Sequence, residues 1–210
     1  QFPILADAPL LKDLTSTQRE QFLSKCRVKI AETPRALLSQ GQKPDGVYLL
    51  AEGTIEISHL SPEGHKTIIA HDGPNRALGA IEAVANQPCV ATCTAFAGTT
   101  YLRWSPADFD AELQEMTFLR NFAELAYTML EYDNATKAID QFYSAEQRIC
   151  RYLDRLSNDN QIFAQSQSYL ANAVGCTRQT VNKELSLLRE RGIIDISKGK
   201  VAIKDKAALD

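Results

Sequence analysis

The chain lacks any apolar run near the ~20 residues a membrane-crossing helix needs, which excludes a membrane as its partner. Its five cysteines, Cys26, Cys89, Cys93, Cys150 and Cys176, are odd in number and include no Cys-x-x-Cys. That speaks against a disulfide framework or a zinc knuckle and for a reducing, cytoplasmic setting. Cys89 and Cys93 fall in a strand-like run with both side chains on one side; they read as small apolar fillers rather than metal ligands. The N-terminal QFPILADAPLLKD has no basic region followed by an apolar stretch, so no signal peptide is expected. Gln1 is not an initiator, and a few residues are expected ahead of it. No nucleophile motif, metal cluster or phosphate loop is present, so an enzyme is not expected.

What is present is 210 residues with 44% apolar content, enough for a core and for one large domain or two smaller ones. The net charge of −3 is unevenly spread. Residues 145–210 carry 11 Lys and Arg against 8 Asp and Glu, whereas residues 1–144 carry 12 against 18. An acidic front and a mildly basic rear suggest two domains with different partners.

The front half reads as a short helix from Leu14 to Cys26, capped by Thr15 or Ser16, followed by short strands. These are Val28 to Ile30, Ala36 to Leu38, Val47 to Leu50, Ile55 to Ile57, Lys66 to Ala70, Cys89 to Ala97 and Thr99 to Trp104, with Gly and Pro turns between them. Regular short strands of this kind predict an antiparallel sandwich or barrel. Ala80 to Ala85 reads as a helical interruption.

After Ser105-Pro106 the period changes to helical. From Glu112 to about Phe142 there is no Gly or Pro, and Leu119, Phe122, Ala126, Met129, Asp133, Thr136 and Asp140 fall at alternating three- and four-residue steps. That heptad seam predicts a long helix pairing with its copy about a two-fold axis. Asp133 facing its copy either repels it, unless protonated or bound, or serves as a polar residue that fixes register. Ser144-Ala145-Glu146-Gln147 matches a capping box and opens a new helix, with Ile149, Tyr152, Leu153 and Leu156 on its apolar face. Ser157-Asn158-Asp159-Asn160 ends it.

The segment from Ser166 to Arg191 carries the functional signal. Ser166 caps a helix through Val174, Gly175 permits a left-handed turn, and Ala171 is small enough for close crossing. A second helix runs from Thr177, burying Val181, Leu185 and Leu188 and grouping Arg178, Gln179, Asn182 and Lys183 on another face. This is a helix-turn-helix, whose second helix enters the DNA major groove. Arginine suits guanine and glutamine suits adenine, while Thr177, Thr180 and Lys183 suit phosphates. A hairpin follows, Ile193 to Ile196 and Val201 to Ile203, with Lys198 and Lys200 at its tip: a winged helix. The expected DNA-binding set is Ser166, Thr177, Arg178, Gln179, Thr180, Asn182, Lys183, Lys198 and Lys200.

Three stretches, Gly46-Val47-Tyr48-Leu49-Leu50-Ala51-Glu52-Gly53, Leu60-Ser61-Pro62-Glu63-Gly64 and Gly175-Cys176-Thr177-Arg178-Gln179-Thr180-Val181, resemble the cAMP receptor protein/FNR family of bacterial transcription regulators. The resemblance implies an α+β fold: an N-terminal antiparallel β-roll (1–105), a cyclic-nucleotide-binding-like jelly roll, then a long dimerisation helix (106–143) and a C-terminal winged helix-turn-helix (144–210). It implies a homodimer on palindromic double-stranded DNA, with RNA polymerase as a further partner. A signal at the junction of roll and long helix would change the spacing of the two heads. The implied effector pocket is Leu78, Gly79, Cys89, Val90, Met129 and Asp133.

The chain departs from the family where Gly-Glu and Arg-Ser would meet a cyclic nucleotide, having Arg76-Ala77 and Cys89-Val90 instead. Without a counter-charge for the phosphate, cAMP binding is not expected. An iron–sulfur cluster is not expected either, since Cys26 stands alone in the N-terminal region. Pro88-Cys89-Val90-Ala91-Thr92 and Pro62-Glu63-Gly64 resemble the denitrification-regulator branch, which implies haem as a candidate cofactor. His59, His65 and His71 nevertheless read as surface or strand residues rather than axial ligands. Gln179 stands where the family often has glutamate, which implies a different preferred base pair. The alternative reading is a β-roll signalling or protein-interaction module without DNA binding.

Overall fold

The computed structural model describes residues 3–157, 161–197 and 199–209, with the side chains of residues 3, 135, 136, 138–141 and 155 outside that description. Two compact units result: Gln1–Leu60 with His71–Tyr132, and Ser61–Ala70 with Asp133–Asp210.

Two 3-10 turns, Pro3–Asp7 and Pro9–Leu11, precede helix α1 (Ser16–Ser24). Thr15 caps α1: its hydroxyl accepts the Gln18 N–H, and the Gln18 side chain accepts the Thr15 N–H. There follow β1 (Arg27–Ile30), β2 (Arg35–Leu38), β3 (Val47–Glu52), β4 (Ile55–Leu60), β5 (Lys66–Asp72), β6 (Ala77–Leu78), helix α2 (Ala80–Ala85), β7 (Thr92–Ala95) and β8 (Thr100–Trp104). They form two four-stranded sheets, β1-β8-β3-β6 and β2-β7-β4-β5. The strand expected from Cys89 is shorter and starts at Thr92. Cys89 instead spends its backbone on the turn at residues 41–42, donating to the Gln42 carbonyl and accepting from the Gly41 N–H, both at 2.8 Å. Those groups are therefore unavailable to a sheet neighbour.

Strand alternation gives the first sheet two cores. Tyr48, Leu50 and Tyr101 pack with Leu37, Leu38, Ile55 and Cys93 between the sheets. Val47, Leu49, Leu102 and Trp104 turn the other way, onto Phe22, Phe109 and Phe118. Trp104 seats its ring 4.3 Å from Phe22 and donates its indole N–H to the Phe22 carbonyl.

The long helix expected over residues 106–143 is in fact two helices, α3 (Pro106–Glu112) and α4 (Met116–Phe142). Glu115 starts the second by accepting the N–H groups of Thr117 and Phe118 at 2.8 and 3.1 Å. Packing supplies the reason. In one straight helix Phe109 and Phe118 would lie about half a turn apart, but the break brings their rings to 5.4 Å within one core. Phe118, Asn121 and Leu125 form the buried stripe of α4. Asn121 clamps it to the N-terminal turns by donating to the carbonyls of Leu10 and Lys12.

The remaining elements are α5 (Ala145–Leu156), β9 (Ile162–Phe163), α6 (Gln167–Val174), α7 (Arg178–Glu190), β10 (Ile194–Ser197) and β11 (Lys200–Ile203). Ser144 and Gln147 form the expected capping box on α5. Its C-cap is Ser157, and residues 158–160 of the expected stop lie outside the described residues. The hairpin gains a third strand in β9, order β10-β11-β9; two residues are too short to carry a period in the sequence. The core of this region joins Ile149, Leu153, Leu170, Val174, Val181, Leu185, Leu188, Ile194 and Val201.

Candidate nucleic-acid interface

The turn between α6 and α7 depends on Gly175, which sits in the left-handed region at φ 70° and ψ 42°. The following N–H, of Cys176, reaches back to the Ala171 carbonyl at 3.0 Å, satisfying a helix-end acceptor. Thr177 then caps α7, its hydroxyl accepting the Thr180 N–H at 3.1 Å and lying 2.9 Å from the Thr180 hydroxyl. Ser166 does the same for α6, accepting the Tyr169 N–H. Ser166 and Thr177 therefore have structural work apart from any phosphate.

Val181, Leu185 and Leu188 are buried, which fixes the rotation of α7. Arg178, Gln179, Asn182 and Lys183 consequently face out over its first two turns, all exposed. Among the described residues their side chains have no hydrogen-bond or ion-pair partner. Lys200 is exposed at the start of β11, and Lys198 lies outside the described residues. Arg191, by contrast, is tied to Glu146. The result is one outward cluster of two cations and two amides at a helix N-terminus, whose unsatisfied N–H groups add positive potential. Chemically it can pair with base edges and neutralise phosphates.

Along α4 the expected seam separates. Phe122 belongs to the domain's own core, its ring 6.2 Å from Phe109. Leu119, Met129 and Asp133 are exposed and Ala126 is half-buried, while the side chains of Thr136 and Asp140 lie outside the described residues. Leu130, absent from the expected seam, is 64% exposed and lies on the same face as Leu119 and Ala126. The heptad steps fit two registers equally, and only burial of Phe122 decides between them.

A winged helix-turn-helix with a free polar recognition face, carried on a chain that also holds a double-sheet β-roll, defines an effector-type DNA-binding regulator. Residues 31–116 match the family described as a cyclic nucleotide-binding domain, and residues 147–210 match a Crp-like helix-turn-helix domain. The chain belongs to the Crp/Fnr family of transcription regulators. It is 22% identical over 206 residues to the cyclic AMP receptor protein of Thermus thermophilus, covering 97% of this chain and 95% of that one. Among solved structures, the c-di-GMP-responsive regulator CLP of Xanthomonas campestris is similar with a TM-score of 0.77 at 16% identity, covering 90% and 99% of the two chains. FixK2 of Bradyrhizobium japonicum is similar with a TM-score of 0.74 at 16% identity, covering 88% and 95%.

A cyclic nucleotide does not fit the residues at the family's phosphate and ribose positions. Arg76 is committed to Asp72, Nε to Oδ2 at 2.9 Å, and Ala77 offers no polar group. Cys89 is buried, and desolvation pushes its thiol up, so it stays neutral. Leu78 and Cys89 share one apolar cluster, whereas Val90 is 71% exposed and Met129 is exposed too. Gly79 caps α2 in the left-handed region, where its φ of 74° suits glycine. Haem finds no better fit: His59 and His65 are exposed, and His71 packs edge-on to Phe96 with Glu56 4.0 Å away. Cys89 and Cys93 share the cluster between the sheets, Cys26 packs against the other core of the roll, and Cys150 and Cys176 belong to the core of the C-terminal region; burial pushes the thiols of Cys26, Cys93, Cys150 and Cys176 up as well.

Proposed function

We propose that this regulator acts as a homodimer that reads a palindromic site in double-stranded DNA. Residues 1–105 serve as sensor, residues 106–143 as the pairing helix and residues 144–210 as the DNA head. Two copies of α7 enter successive major-groove faces about 34 Å apart. Arg178 and Gln179 read base edges, Asn182 assists them, and Ser166, Thr177, Thr180, Lys183, Lys198 and Lys200 contact the backbone. RNA polymerase is the further partner such a regulator engages at a promoter. The effector is a ligand other than cAMP, acting near Leu78, Gly79, Cys89, Val90, Met129 and Asp133 to change the α4 pairing.

The observation that carries this reading is the unpartnered quartet Arg178, Gln179, Asn182 and Lys183, exposed over the first two turns of α7 while Val181, Leu185 and Leu188 are buried. The test begins with selection of a binding site from random DNA and anisotropy titrations on it. Arg178→Ala should lose roughly 1–3 kcal/mol of binding to that site while sedimenting as wild type. Unchanged affinity would sink the reading and favour a protein-binding head.

A further inference from the structure

At one open end of the β-roll the face that elsewhere carries the apolar core between the sheets carries charge instead, on the exposed Lys29 and Arg35 and the half-buried Arg103. On β8, Tyr101 packs between the sheets while Leu102 and Trp104 pack the other way, so Arg103 shares the inner face with Tyr101. The register places Lys29 opposite Tyr101, and Tyr48 opposite Arg103. Lys29 therefore lies on the same face of the sheet, at its solvent-exposed edge strand. Arg35 pairs with Ala95, which belongs to the same core between the sheets.

A cavity of about 300 Å3 opens at this end of the roll, and its polar lining is Lys29, Arg35, Asp45, Tyr48, Tyr101 and Arg103. Asp45 is already spent. Its Oδ1 accepts the Tyr48 hydroxyl at 2.5 Å, and its Oδ2 lies 3.4 Å from the Arg103 guanidinium, which also donates to the Asp45 carbonyl. Lys29 and Arg35 have no carboxylate partner among the described residues. Three cations against one carboxylate leave a surplus of two positive charges facing the cavity.

Arg103 is also seated by the backbone. A Cβ at residue 46 would come within 2.8 Å of the Arg103 Nε and 2.7 Å of the Trp104 carbonyl oxygen. Gly46 thus makes the room in which the guanidinium lies. A held guanidinium, a second guanidinium and an ammonium around one cavity match the forked geometry of phosphate and carboxylate groups.

We propose that this cavity binds a small oxyanion of charge −2 or more, a phosphate or polycarboxylate compound, between Arg35, Arg103 and Lys29. None of these residues belongs to the effector set around Leu78 and Cys89. A volume of about 300 Å3 falls at the lower end of small-molecule sites, which suits a compact metabolite rather than a macromolecular segment.

Calorimetry on the full chain tests this, with pyrophosphate and citrate as separate titrants and acetate as the monovalent control. Saturable binding at one site per chain is expected for pyrophosphate, citrate or both, which separates phosphate from carboxylate sources. The double variant Lys29→Ala, Arg35→Ala should weaken it on the order of tenfold or more, and the longer Lys29→Gln, Arg35→Gln should do the same with an unchanged thermal midpoint. Arg178→Ala with Lys183→Ala should leave it intact. The proposal is overturned if neither titrant binds, if acetate binds as well as both, if the glutamine pair binds as wild type, or if the loss follows Arg178 and Lys183 instead.

Discussion

In the proposed DNA complex, a single functional group at position 179 decides which base is preferred. Glutamine both donates and accepts, which matches adenine, whereas glutamate only accepts and matches the cytosine amino group. Site selection with the wild type should recover adenine at the position Gln179 reads, and Gln179→Glu should move that preference to cytosine. Cys93 offers a test of burial. Desolvation lifts its thiol to about 12, well above the usual range of a cysteine. The unfolded thiol ionises first as pH rises, so this group's contribution to stability is intact below about pH 9 and falls away between about 9 and 12. Urea titrations at about pH 8 and about pH 10 should show that fall, and Cys93→Ala should reduce its slope. That Arg178, Gln179 and Lys183 lie exposed together on the first turns of α7 was legible from spacing alone. That Lys29 and Arg103 share one sheet face with Tyr101 was not, because which strands pair, and in which register, is not written in local sequence.

Helix ends were the most legible features among the elements. Thr15, Ser144, Ser166 and Thr177 each cap through a side-chain oxygen that bonds an N–H three residues on, a purely local interaction. Gly175→Ala should therefore cost about 1–2 kcal/mol through its left-handed backbone alone, since a Cβ there meets nothing within 4 Å. Leu185→Ala should cost more, roughly 2–5 kcal/mol, by opening a cavity among α5, α6 and the hairpin. Chemical denaturation of the two variants ranks these effects; a Gly175 variant worse than Leu185→Ala would contradict the assigned turn. The split between α3 and α4 escaped the sequence because neither Gly nor Pro marks it. It exists to bring Phe109 and Phe118 into one core, a constraint from packing.

For the molecule as a whole, α4 leaves Leu119, Met129, Leu130 and Tyr127 exposed along one helix of 27 residues. An exposed apolar stretch over residues 119–130 is best covered by its own copy. Leu130→Glu places two carboxylates across such a seam. Light scattering should then report monomers, and affinity for the palindromic site should fall on the order of a hundredfold as the second head loses its tether. A Leu130→Glu dimer of full affinity would remove α4 as the pairing element.

The sequence by itself determined the order and type of most elements, the capping residues and the exposed polar face of α7, because each follows from contacts within a few residues or from one period. Tertiary structure alone decided the α4 face, the break before Met116, the third strand of the wing and the cation-lined cavity. These depend on Phe122 against Phe109, on β9 against β11 and on β1 against β8, partners separated along the chain, and local periodicity carries no record of such pairings.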